Sequence, residues 1–134
     1  MKKILTILSF IFLLFINSTY AQVLTQNDLV EASKIVNSMC PMMVDEITRL
    51  DYTSVPSYFT VEYNYTLVSI LKESLNIDIF KTTQENILID GVRKNTDLKP
   101  LRDNNVTFKY TYYDKLHKLM FTCTITPEKY NLYY

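Results

Sequence analysis

Three stretches of this chain alternate ring-bearing or aliphatic residues with short polar ones, and that two-residue period leaves little choice of fold. Between Tyr58 and Ile70, Phe59, Val61, Tyr63, Tyr65 and Leu67 fall on one side, and Thr60, Glu62, Asn64 and Thr66 fall on the other. Val106, Phe108, Tyr110 and Tyr112 alternate with Thr107, Lys109 and Thr111. Leu119, Phe121, Cys123 and Ile125 alternate with Met120, Thr122, Thr124 and Thr126. Successive side chains of an extended strand point to opposite faces, so each stretch predicts a strand with one apolar and one polar face. A sheet packed on one side and wet on the other produces this pattern. The face carrying Thr60, Glu62, Asn64, Thr66, Thr107, Lys109, Thr122 and Thr124 is then expected to meet water or a partner.

The remaining segments supply the cover. Leu29, Ala32, Ile35, Val36 and Met39 form a helical stripe, with Asn27 or Asp28 as its cap. Pro41 ends it, because a residue before proline is pushed out of helical dihedrals. Met42 to Tyr52 reads as an irregular strand, and Ser54 to Ser57, with Pro56, as a turn. From about Asn76 to Leu98 the apolar period becomes helical, with Ile77, Phe80 and Ile87, and Gly91 is expected to weaken or interrupt that helix. Asp114 to Lys118 turns a closing hairpin. The order α-β-β-α-β-β predicts an α+β fold: a four-stranded antiparallel sheet with two helices on one face. That layout resembles the cystatin-like arrangement of a helix across a curved antiparallel sheet, without the inhibitor loops.

Residues 1–21 have the three parts of an export signal: Lys2 and Lys3, an apolar run from Ile4 to Ile16, and a short region ending in Tyr20 and Ala21. Cleavage after Ala21 leaves residues 22–134 as one domain. A retained anchor is the alternative, but the apolar run falls short of the ~20 residues that cross hydrocarbon comfortably. A membrane association would then exist only through the uncleaved leader. Export predicts a periplasmic or extracellular location. Without the leader, twelve basic residues stand against fourteen acidic ones. That balance is no footprint for nucleic acid, whose binders show a basic excess.

Little in the chain points to catalysis. The sole histidine, His117, sits in a turn beside Lys115 and Lys118. No cysteine and histidine cluster has zinc spacing, so neither a metal nor a cofactor is expected. Asp45, Glu46 and Asp51 around Arg49 form the densest polar cluster, which could serve acid and base work if one pKa were raised. An ion-pair ladder explains the same residues. Tyr63, Tyr65, Tyr110 and Tyr112 read as core or as the wall of a ligand pocket. Tyr130, Tyr133 and Tyr134 suit a protein contact. Cys40 and Cys123, an even pair in an exported chain, are a candidate disulfide or two buried thiols. Asn64-Tyr65-Thr66 and Asn105-Val106-Thr107 match the glycan-acceptor pattern, which is idle in a bacterial setting.

The stretches Cys40 to Asp51, Phe108 to Asp114 and Ile125 to Tyr130 together resemble a set of small exported bacterial proteins of unknown function that carry a similar CPMMVDE segment. The resemblance implies an envelope location and brings no activity. The sequence is thus read as a non-enzymatic exported binding or accessory domain whose partner is a protein, peptide or small ligand. A small hydrolase-like enzyme using the carboxylates from Asp45 to Asp51 is the alternative.

Overall fold

The computed structural model describes residues 23–132. The leader and its cleavage site, as well as Tyr133 and Tyr134, lie outside the described residues. The described part is α+β, as expected, but its sheet has five strands and is mixed. Helix α1 spans Gln26–Met39, followed by strands β1 (Met42–Met43), β2 (Thr48–Ser57) and β3 (Thr60–Leu67). Helices α2 (Ile77–Lys94) and α3 (Lys99–Asp103) lead to β4 (Thr107–Tyr113), β5 (Leu119–Ile125) and the short α4 (Pro127–Tyr130). Single 3-10 turns at Lys72–Ser74 and Thr96–Leu98 join these pieces.

The strands lie in chain order, β1 to β5. Three neighbouring pairs are antiparallel, but β3 and β4 are parallel, with Tyr63 opposite Tyr110 and Tyr65 opposite Tyr112. The physical reason is the crossover. Eight residues of β3 and eighteen of α2 each span roughly 27 Å, so the helix carries the chain back to the end of the sheet where β3 began. Two strands joined in that way run parallel. The all-antiparallel expectation, and with it the cystatin-like layout, is corrected by this one connection.

The segment from Met42 to Tyr52 is not one strand. Two residues pair as β1, then Val44 to Ile47 form a loop, and β2 begins only at Thr48. Asp45 stops the strand by chelating the backbone: its Oδ1 accepts from the N–H of Ile47 at 2.8 Å and of Thr48 at 2.7 Å. The expected turn at Ser54–Ser57 is the end of β2, and the chain reverses at Tyr58 and Phe59. Phe59 takes φ 47°, a left-handed conformation that costs a non-glycine residue roughly 1–2 kcal/mol. Bonds from Phe59 N–H to Gln26 Oε1 and from Thr107 N–H to Phe59 O hold it there. Gly91 is buried inside an unbroken α2, so the chain's one glycine serves no turn.

Helix α1 is capped by Thr25 rather than by Asn27 or Asp28. Thr25 Oγ1 accepts from Asp28 N–H, and Asp28 Oδ2 accepts from Thr25 N–H at 2.7 Å, a reciprocal capping box. On α2 the Asn76 side chain accepts from Ile79 N–H. Both helices cover the aromatic side of the sheet. Helix α1 lies against β2, where Ser33 and Asn37 reach Thr53, and α2 lies against β5, where Phe80 meets Phe121 edge-on, while Gln84 donates to the Tyr112 hydroxyl on β4. Leu50, Val61, Tyr63, Tyr65, Phe108, Tyr110 and Ile125 form the centre of the core between them.

A candidate binding face opposite the helices

The residues singled out in the sequence divide between the two faces. Tyr63, Tyr65, Tyr110 and Tyr112 are buried in the helix-covered layer and packed in two stacked pairs, Tyr63 on Tyr110 at 5.2 Å and Tyr65 on Tyr112 at 5.3 Å between ring centroids. Burial pushes all four phenols far above their ordinary pKa. They are core side chains, and their rings fill the space a pocket above the sheet would need. Tyr130 is also buried. Its hydroxyl donates to Val106 O at 2.9 Å and its ring meets Phe108 edge-on, so it anchors α4 instead of presenting a contact surface.

The carboxylates do not converge. Asp45 is committed to the loop before β2, and Glu46 is exposed beside it. Asp51 lies on the other face, clamped by Arg49 Nε at 2.6 Å and Thr66 Oγ1 at 2.5 Å. The expectation that Asp45, Arg49 and Asp51 share one strand face fails because β2 starts after Asp45. Asp45 and Asp51 are thus held by different partners, Asp45 through Oδ1 alone, since its buried Oδ2 has no hydrogen-bond partner. His117 stacks on Tyr113 at 4.4 Å in the exposed hairpin turn. Among the described residues, no group of three or more His, Cys, Asp or Glu could hold a metal.

Cys40 and Cys123 are free thiols. Cys40 adjoins β1 at one end of the sheet order, and Cys123 belongs to β5 at the other. Four strand spacings of about 4.8 Å separate β1 from β5, whereas a disulfide needs Cα atoms within about 7 Å. The candidate bridge is thus corrected to two separate buried or half-buried thiols. Burial raises both, and Cys123 is pushed up to about 11 by burial and then by the charge of Glu85.

What remains is the polar face. Its residues form rows across the sheet: Arg49, Thr66 and Tyr113; Tyr52, Asn64, Thr111 and Thr122; Ser54, Glu62, Lys109 and Thr124. Charges on it are paired internally. Arg49 holds Asp51, and Lys109 Nζ lies 3.7 Å from Glu62 Oε2. Thr111 Oγ1 donates to Glu62 Oε1 at 2.8 Å and lies 3.1 Å from Thr122 Oγ1. At the centre is Asn64, only 2% exposed, with an Nδ2 that has no hydrogen-bond partner. Next to it in the row stands Tyr52, which is 46% exposed. Burial raises the Tyr52 phenol, and Tyr113, Glu62 and Asp51 raise it further. The face is not uniformly wet: Thr60, Asn64, Thr66 and Thr111 are buried, lying between the longer side chains of Arg49, Tyr52, Glu62 and Lys109.

A groove beside α2, lined by Asn86, Ile89, Asp90, Arg93, Lys129 and Leu132, is weaker. Two of its ions have mates, Lys129 with Glu85 and Asp90 with Lys94, while Arg93 donates from Nη2 to Lys129 O and its buried Nε has no hydrogen-bond partner. Sequence reasoning places Asp114 at the start of the hairpin turn but does not foresee its complete burial there. Its Oδ1 accepts from Leu116 and Lys118 N–H, both at 2.9 Å, and its Oδ2 from Lys72 N–H at 3.1 Å. An Asp opening a turn is a known signal, but the Lys72 bond spans 42 residues and no local pattern announces it.

Residues 24–121 match the model of a domain family of unknown function, DUF8479. The chain belongs to the DUF8479 family. No functionally curated protein matches it. Three solved structures are similar in fold to this chain. One is a Pseudomonas aeruginosa protein inferred to be secreted, with 14% identity, a TM-score of 0.66, and 79% of this chain and 92% of that one covered. Another is the pilotin EpsS of the Vibrio vulnificus type 2 secretion system, with 8% identity, a TM-score of 0.63, and 81% and 93% covered. The third is the type II secretion system pilotin AspS of Vibrio cholerae, with 10% identity, a TM-score of 0.58, and 78% and 90% covered. At these identities the likeness is one of fold.

Proposed function

We propose that this DUF8479 domain is an exported, non-enzymatic binding or accessory module of the cell envelope, and that its polar sheet face is the binding surface. The observation that carries the reading is Asn64. A buried amide donor without a partner costs roughly 1–3 kcal/mol, and an acceptor brought by a ligand would remove that cost. The leader supports export, and the fold shared with a protein inferred to be secreted and with two secretion-system pilotins fits an accessory role in the envelope. Against an enzyme stand the separated carboxylates and a histidine stacked in a surface turn.

The test is crosslinking in native envelopes, comparing the wild-type chain with Tyr52→Ala/Thr124→Arg on the polar face and Lys34→Glu on exposed α1. Loss of a crosslinked species in the face variant alone is the expected result. Equal crosslinking in all three chains would discard the polar face as the binding surface.

A further inference from the structure

Resting on that assignment of the polar face, we infer that its ligand is an uncharged, N-acetylated oligosaccharide, read by Asn64 and Tyr52. Three observations narrow the class. First, the ions on the face neutralise one another, Arg49 with Asp51 and Lys109 with Glu62, so no unpaired charge is left to select an ionic ligand. Second, the unpaired group is a donor, Asn64 Nδ2. The ligand must therefore bring an acceptor, and an acetamido carbonyl is one that an uncharged sugar carries. Third, the groups around that donor are an exposed phenol ring and threonine hydroxyls. Tyr52 precedes Asn64 in its row, and beyond the buried Thr111, whose hydroxyl donates to Glu62, lies the half-buried Thr122 with a hydroxyl oxygen able to accept. An aromatic face takes the apolar side of a sugar ring, while hydroxyls exchange hydrogen bonds with its substituents.

An extended peptide is the competing occupant, and both sheet edges argue against it. Main-chain pairing with an open edge is how such a peptide gains affinity. Beyond the two residues of β1, the β2 edge is closed by Asn37: its Nδ2 donates to Thr53 O at 2.8 Å and its Oδ1 accepts from Thr53 N–H at 2.7 Å, the two bonds a neighbouring strand would make. Pro56 offers no N–H further along. On β5, Lys72 donates to Leu119 O and Lys129 to Thr124 O. Two main-chain acceptors of that strand are thus already taken by side chains from neighbouring elements. A ligand is left to lie across the face and be read by side chains.

Isothermal titration of the full chain with chitotetraose, and with maltotetraose as an uncharged tetramer without acetamido groups, tests the inference. Chitotetraose is expected to bind and maltotetraose to bind at least tenfold more weakly. Asn64→Thr and Tyr52→Ala are each expected to weaken chitotetraose at least tenfold, with circular dichroism unchanged. Tyr52 lies at the surface, so its variant retains the fold if Asn64→Thr does not. Equal binding of the two sugars, or wild-type affinity in Tyr52→Ala, would overturn it. So would an absence of chitotetraose binding; a crosslinked partner that still depends on the polar face would then leave the surface assignment standing and make the partner a protein.

Discussion

The two faces of this sheet are made by the same strands, residue by residue, yet they solve opposite problems. On the helix side, Tyr63, Tyr65, Phe108, Tyr110 and Tyr112 bury large rings, and Gln84 of α2 donates to the Tyr112 hydroxyl. On the polar side, Thr66, Asn64, Thr111 and Thr122 hold short groups between paired ions. Stability should therefore reside mainly in one face and recognition in the other. The contrast is quantitative, and substitutions can break it.

The largest effect is expected at Phe108, which is fully buried between β3 and β5 and meets Tyr130 edge-on. Phe108→Ala should cost about 3–5 kcal/mol in urea unfolding, the range for deleting a buried ring. Its neighbour in sequence, Lys109, points the other way and should cost far less. Comparable losses at the two positions would mean that the polar face carries packing energy too.

A smaller effect sharpens the comparison within the core. Tyr112→Phe removes the oxygen that accepts from Gln84 Nε2 at 3.0 Å, leaving a buried amide donor unpaired; a loss of about 1–3 kcal/mol follows. Tyr65→Phe removes a buried hydroxyl that has no hydrogen-bond partner, so it should be neutral or stabilising. The rings are stacked neighbours, and only the fate of the hydroxyl differs. Equal losses from the two substitutions would show that the Tyr65 hydroxyl is paired in solution.

Asp114 ties the hairpin to the turn that follows β3, and its effect is read through pH. Burial works against its charged form, but the backbone donors of Lys118, Lys72 and Leu116, with the nearby Lys118 charge, outweigh that and lower its pKa below 3.8. A group whose folded pKa is depressed contributes stability that is present above the unfolded value and lost as pH falls through the folded one. Thermal denaturation midpoints should thus drop as pH descends below about 3.8. In Asp114→Asn, the midpoint near neutrality should be lower and the acid-dependent part of the drop smaller. An identical pH profile for both chains would remove Asp114 from the account.

Much of the layered fold was legible in sequence because strand alternation and helical spacing are local. Tyr63, Phe108 and Cys123 announce their face within five residues of chain, and the core follows. The parallel pairing of β3 with β4 was not local. It depends on α2 returning the chain across the sheet, which the α-β-β-α-β-β order contains but strand patterns do not express. Asp45 shows the other limit. Within a strand-like stretch it reads as one rung of a ladder with Arg49 and Asp51, yet its carboxylate bonds the backbone of Ile47 and Thr48 and ends the strand. As for the polar face, its composition could be read beforehand, but the isolation of Asn64 could not. An unpaired donor is a property of every neighbour at once.

The smallest effect on stability is expected at Lys109, and it is the one that isolates recognition. Its ammonium lies 3.7 Å from Glu62 and both side chains retain some exposure. Such a pair is worth about 0–1 kcal/mol, because solvent screens it and the long side chain loses freedom to hold it. Glu62 keeps its bond from Thr111 when the lysine is gone. Lys109→Ala should hence leave the urea midpoint nearly unchanged while exposing a carboxylate on a face that was self-neutralised. If the ligand is uncharged, its binding should change little with salt in the wild-type chain and remain so in Lys109→Ala. A steep salt dependence in the wild type would show instead that charge on this face takes part in recognition, and the division of labour between the two faces would have to be redrawn around its ion pairs.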